Sequence, residues 1–172
     1  MREYILPDDF DLNRPSEEIT MDLFYQTNGF RVPLSRIRFN DVVANDLRPD
    51  IDYDANTQIS ACIDASYDMR FKGESVFFYR RLSLSKLFRK EGKLVIGTDK
   101  ERFKISEVLE SINYFLTSQL TMEDILEEDF CATCTEITLR ANPKSLVWMG
   151  EITIEVITTY VPPLLTVTDL AG

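Results

Sequence analysis

Histidine is missing from all 172 positions of the chain. With it go the commonest general base, the usual partner of a nucleophilic Ser or Cys, and the commonest transition-metal ligand. Glycine is scarce, with 6 in the whole chain, and neither GxGxxG nor GxxxxGK[ST] occurs, so no glycine-rich phosphate cradle is expected. No run approaches the roughly 18 uncharged apolar residues of a membrane-spanning helix. The first residues, Met1 to Ser16, turn acidic quickly and lack the apolar core of a signal peptide. The cysteines are Cys62, Cys131 and Cys134, too few and too odd in number for a secreted disulfide framework. A structural zinc needs about four ligands, and these thiols have no imidazole to join them. An enzyme would have to work with carboxylates, Lys, Tyr or Cys. The expectation is a non-enzymatic chain with no catalytic residue, no cofactor and no metal.

The rest of the composition is ordinary, 44% hydrophobic and 28% charged, and predicts a soluble domain that buries roughly 70% of its unfolded surface without staples. The net charge of −10 argues against direct nucleic-acid readout. Its distribution is uneven. Residues 70 to 104 hold eleven Lys and Arg against four acids, a net of +7, whereas residues 105 to 136 hold eight acids and no base, a net of −8. Such blocks either pair within the fold or meet head to tail between copies. The second reading makes Arg80, Arg81, Lys86, Arg89 and Lys90 one set of interface candidates and Glu123, Asp124, Glu127 and Glu128 the other.

Two smaller constellations carry less. Cys131-Ala132-Thr133-Cys134 is a CxxC, but it precedes a strand-like run instead of opening a helix, where the dipole would lower a thiol pKa. Ordinary small residues leading into a strand is the plainer reading, an intersubunit disulfide or thiol role the alternative. Asp50, Asp52 and Asp54 alternate in a polar loop. An EF-hand needs Gly and Glu where Ala55 and Ala61 stand, so a solvated loop is expected.

Along the chain, residues 1–15 read as an extended arm. Residues 16–27 read as a helix, capped by Ser16 and stopped by Asn28-Gly29. A helical turn follows Pro33 through Ile37, then a polar connection over 40–57. Residues 58–64 and 74–80 predict a hairpin, 82–88 a turn into a short helix, and 93–96 an edge strand. Ile105 to Leu120 carry the clearest helical stripe, and Thr121-Met122-Glu123-Asp124 looks like the capped start of a second short helix. Residues 136–141 and 151–158 predict a second hairpin around Asn142-Pro143 and Gly150. Pro162-Pro163 begin an extended tail that would reach a neighbour.

The two hairpins resemble each other. Residues 57–60 (ThrGlnIleSer) match 135–138 (ThrGluIleThr), and Phe71-Lys72-Gly73-Glu74 match Trp148-Met149-Gly150-Glu151. The predicted fold class is therefore α+β. Two similar helix–short helix–β-hairpin units, 16–88 and 89–159, would form one small antiparallel-sheet body with an N-terminal arm (1–15) and a C-terminal tail (160–172).

One more pattern is specific enough to suggest kinship. Ile112-Asn113 on a helix precede Leu120-Thr121-Met122-Glu123-Asp124-Ile125. A strand then leads into Ala141-Asn142-Pro143-Lys144-Ser145-Leu146, and Trp148-Met149-Gly150 opens the next strand. Over residues 57 to 156 the chain resembles an uncharacterised tandem-module family of virion structural proteins from large contractile-tailed bacteriophages. It departs from the family pattern in lacking a Gly near the helix end, where Phe115-Leu116 stand. The resemblance implies a subunit of the phage tail, in the tail-end, neck or baseplate region, made in the host bacterial cytoplasm and resident in the virion. Its partners would be further copies of itself (a homo-oligomer, a ring being one form) and other virion proteins, with no membrane. It carries over no catalytic residue. The alternative from another class is a soluble acidic binding or inhibitor protein acting on a partner protein.

Overall fold

The computed structural model describes residues 10–29, 34–44, 57–63, 73–87 and 90–160. The first helix, α1, spans Ser16–Asn28 with Glu17 and Glu18 in its first turn, where the helix dipole favours acids. Pro15 takes the cap position assigned to Ser16, and its carbonyl accepts from the Glu18 and Ile19 N–H groups at 3.0 and 3.3 Å. Gly29 ends the helix as expected, at φ 72 with its N–H on the Tyr25 carbonyl at 2.8 Å, a left-handed turn that suits a residue without Cβ. Ile19, Thr20, Leu23 and Phe24 form its buried stripe.

That stripe packs on a three-stranded antiparallel sheet, β1 (Ile37–Ala44), β2 (Thr57–Ile63) and β3 (Gly73–Tyr79), in the order β1-β2-β3. Phe24 is the contact residue, stacked on Phe39 and Tyr79 with centroids 5.5 and 4.7 Å away and edge-on to Phe77. Strands β2 and β3, expected over 58–64 and 74–80, pair antiparallel in a register from Thr57↔Tyr79 to Ile63↔Gly73. The strand β1 corrects the expectation of a polar connection starting at residue 40. Its pairing with β2 shifts between Phe39 and Val42, and such an irregularity breaks the period-2 pattern by which a strand is recognised.

The chain then makes a two-residue strand, β4 (Leu82–Ser83), and a 3-10 turn at Leu84–Lys86 in place of the predicted short helix. Next come β5 (Leu94–Thr98), β6 (Arg102–Lys104) and the second helix, α2 (Ile105–Leu116). The helix ends four residues before the predicted Leu120, although Leu120 is buried. The Thr121–Asp124 helix does not form either; those residues make a turn leading to an isolated bridge between Ile125 and Ala141.

The remaining strands are β7 (Asp129–Cys131), β8 (Glu136–Arg140), β9 (Trp148–Met149) and β10 (Glu151–Tyr160). The second sheet has the order β5-β10-β8, with β10 antiparallel to β8 and parallel to β5. A single antiparallel sheet was expected; the described residues form two three-stranded sheets, of which the second is mixed. Short ribbons of β4 with β9 and of β6 with β7 complete the pairing. Gly150 lies between β9 and β10 at φ 75, a left-handed conformation that suits a residue without Cβ.

One contiguous core unites the two segments. It runs from Ile19, Leu23 and Phe24 through Ile59 and Tyr79 to Ile112, Leu139, Trp148 and Ile154. The body is thus α+β, as predicted. Residues 10–15 also join it instead of forming a free arm. Phe10 and Leu12 pack against the core, and Arg14 pairs with Asp22 at 2.9 Å. The predicted arm before residue 10, the loop holding Asp50, Asp52 and Asp54, and the tail from Val161 lie outside the described residues.

Candidate assembly surface

Asp124 is the most constrained carboxylate in the body. It is 3% exposed, and so is withdrawn from the surface where the charge pattern placed it. Its Oδ2 accepts from the Ser16 hydroxyl (2.8 Å), the Thr121 N–H (3.0 Å) and the Thr121 hydroxyl (3.1 Å), and its Oδ1 from the Ser145 hydroxyl (3.0 Å). Ser145 Oγ in turn accepts from the Val147 and Trp148 N–H groups at 3.3 and 3.1 Å. The Asp124 carbonyl takes the Asn142 N–H at 2.8 Å. Asn113 clamps the preceding loop, its amide bonding both the N–H and the C=O of Leu120 at 2.8 Å. Asn113, Leu120, Thr121, Asp124, Asn142 and Ser145, which the motif pattern singled out, therefore lie in one hydrogen-bonded region that fixes α1, the end of α2 and the 142–148 loop. An open cleft of about 790 Å³ lies beside it, lined by Ser16, Asn113, Leu120, Asp124 and Leu146 among others. The donors around Asp124 are spent on holding the fold.

Arg81 is likewise turned inward. Its guanidinium donates to Thr57 Oγ1 at 3.0 Å and to the carbonyls of Pro143 and Ser145 at 3.0 and 3.1 Å. Burial holds its pKa below the usual value. Tyr79 beside it donates to the Leu146 carbonyl at 2.8 Å, and burial raises its phenol pKa. Both side chains stitch the first sheet to the 142–148 loop, which explains why Arg81 is not available to a neighbouring copy.

The other predicted charges are partly consumed nearby. Glu127 accepts the Ser106 N–H at the start of α2 (3.1 Å), and hydrogen bonding there lowers its pKa. Glu128 pairs with Arg140 at 2.7 Å. Glu107 holds Lys100 in an ion pair and accepts the Lys104 N–H at 2.9 Å. The basic and acidic segments thus interlock around the start of α2. Lys86 and Glu123 are exposed, Arg80 and Lys90 are half-buried, and Arg89, Pro162 and Pro163 lie outside the described residues.

The edge strand expected over 93–96 is β5, the open edge of the second sheet. On the β8 side the edge is covered, because the Leu126 N–H donates to the Arg140 carbonyl at 2.9 Å and Ile125 bridges Ala141. Among the described residues no strand pairs with the outer side of β5. Its sequence, LeuValIleGlyThr, has none of the Lys or Pro that usually guard an edge. Val95 stands directly across from Ile157 of β10, and the two are 59% and 50% exposed. The pattern of β10 is reversed at this point. Ile152, Ile154 and Val156 face the core, whereas Ile157 faces out, and among the described residues the Thr158 hydroxyl is buried without a hydrogen-bond partner. A groove of about 520 Å³ follows the edge between β5 and α2, lined by Leu94, Val95, Tyr114 and Phe115 together with Lys90, Lys93, Glu91 and Glu110. Tyr114 is 75% exposed and carries the Lys90 ammonium over its ring. The signal available in the sequence was the Val156-Ile157 doublet, which interrupts strict alternation.

Among the described residues no group of three or more Cys, Asp or Glu is arranged to hold a metal ion, and no helix is long and apolar enough to cross a membrane. Residues 10–172 match a family of unknown function, DUF7941, and the chain belongs to it. No curated protein and no solved structure matches the chain.

Proposed function

We propose that this chain is a structural virion protein of a tailed bacteriophage, a non-enzymatic assembly subunit of the tail in its tail-end, neck or baseplate region. The motifs over 105–155 support the place in a phage particle. The assembly role is carried by one observation, the open edge of β5 flanked by the outward Val95–Ile157 pair on the adjoining sheet face. Water-exposed apolar pairs on an open edge favour addition of another strand. The occupant is a second copy of this chain. Lys90 and Lys93 are balanced in the groove by Glu91 and Glu110, so the apolar edge and its unpaired backbone groups, which a second copy presents in the same form, carry the contact. Within this reading the two-unit plan is a tandem duplication, α1 with the β2–β3 hairpin and α2 with the β8–β10 hairpin.

The test is the mass of the recombinant protein by size-exclusion chromatography with light scattering, beside the double variant Val95→Lys, Ile157→Lys. A wild-type oligomer and a variant that stays monomeric, near the chain mass of 19.9 kDa, with an unchanged melting temperature, are expected. A wild-type monomer at every concentration overturns self-assembly and favours the acidic binding-protein alternative. An oligomer that the two lysines leave intact overturns the β5 edge as its site.

A further inference from the structure

The CxxC lies apart from both the β5 edge and the Asp124 node. Cys131 ends β7, where it pairs with Arg102 of β6, and Cys134 leads into β8. The Cys134 N–H donates to the Cys131 carbonyl at 3.0 Å, so the four residues close a turn. A turn of this kind holds its first and last Cα within about 7 Å, the span a disulfide bridges. The two thiols differ in setting. Cys131 is exposed and its Sγ lies 3.1 Å from the Thr133 hydroxyl, whereas Cys134 is half-buried and packs against the core.

We propose that Cys131 and Cys134 form a reversible dithiol–disulfide site for small-molecule disulfides, with Cys131 as the attacking thiol and Cys134 as the resolving one. The Cys131 thiolate attacks one sulfur of the disulfide RSSR and releases RS⁻. Cys134 then gives its proton to solvent and attacks the Cys131 sulfur, expelling the second RS⁻. Two protein thiols and RSSR become one protein disulfide and two RSH; the protein sulfurs lose two electrons and RSSR gains them. The local electrostatics match this order. Hydrogen bonding from Thr133 holds the Cys131 thiol below its ordinary pKa, while burial, and then the neighbouring Cys131, push Cys134 above it. Closure staples the β6–β7 ribbon to the start of β8. The inference stands independently of the assembly reading.

The experiment treats the reduced full chain with oxidised glutathione and follows intact mass and peptide maps, with Cys62 as an internal exposed thiol. The expected product has lost two hydrogens, maps to a Cys131–Cys134 bridge and is restored by dithiothreitol. The Cys134→Ser variant is expected to stop at a glutathione adduct on Cys131, and Cys131→Ser to slow reaction of the turn by about tenfold. A stable adduct on Cys131 while Cys134 is free, modification of Cys62 ahead of Cys131, or no reaction at the turn would each overturn the proposal. Unchanged melting temperatures of the reduced serine variants ensure that these outcomes report on chemistry and not on folding.

Discussion

At the scale of single residues, Asp124 shows how a charge becomes structural. Four hydrogen bonds converge on it from residues as distant as Ser16, 108 positions away. Replacing it by Ala leaves three hydroxyls and one N–H without their acceptor, which costs about 2–4 kcal/mol. A double-mutant cycle separates this node from a general cavity effect. Ser16→Ala and Asp124→Ala, measured by urea unfolding, are expected to couple by about 1 kcal/mol or more; additive losses would show that the node does not act as a unit. The residue types were legible in the sequence and their role was not. Thr121-x-x-Asp124 has the spacing of a capping box, and the same spacing closes a turn. An acid in an acidic run reads as exposed. Only the fold supplies Ser16 and Ser145, and so only the fold shows why this carboxylate is buried.

At the scale of elements, α2 was readable at its apolar stripe and misread at its end. Thr117 stops the helix in the left-handed region, at φ 49, with its N–H on the Asn113 carbonyl. A β-branched residue is strained there, and glycine is the usual occupant. The Asn113 side chain sustains the strain by tying down Ser118 and Leu120. The stripe continues through Leu120 because that side chain still enters the core from the loop, which is why periodicity alone extended the helix. Thr117→Gly is therefore expected to raise stability by about 0.5–1 kcal/mol, through relief of strain offset by a looser unfolded chain. Asn113→Ala is expected to lower it by more. Thermal melts of the two variants check the signs, and a destabilising glycine would mean that Thr117 makes contacts worth more than its strain. Strand β1 was lost for the converse reason. Its irregular pairing between Phe39 and Val42 breaks the alternation, whereas β2 and β3, which pair residue by residue, were placed within one or two residues of their bounds.

At the scale of the whole molecule, the question is which force would bring copies together. The block charges suggested complementary faces, yet several of those charges are spent inside one chain, in Lys93–Glu155, Lys100–Glu107 and the Arg140 pairs with Glu128 and Glu151. These pairs are solvent-exposed and contribute little to stability. They nonetheless reduce the net field that each segment shows to a neighbour. The β5 edge offers backbone hydrogen-bonding groups and the apolar Val95–Ile157 pair, and neither is screened by ions. The two modes respond to salt in opposite ways. Contact through charged faces weakens as the screening length falls from about 30 Å at 0.01 M to about 3 Å at 1 M salt. Contact through an apolar strand edge holds or tightens, most of all with sulfate, which strengthens apolar burial. The dissociation constant of the oligomer, measured by sedimentation across that range, is expected to change less than about tenfold and to fall in sulfate. A steep rise with salt would move the contact to exposed charges such as Lys86 and Glu123. The β5 groove would then be left for a partner of different sequence.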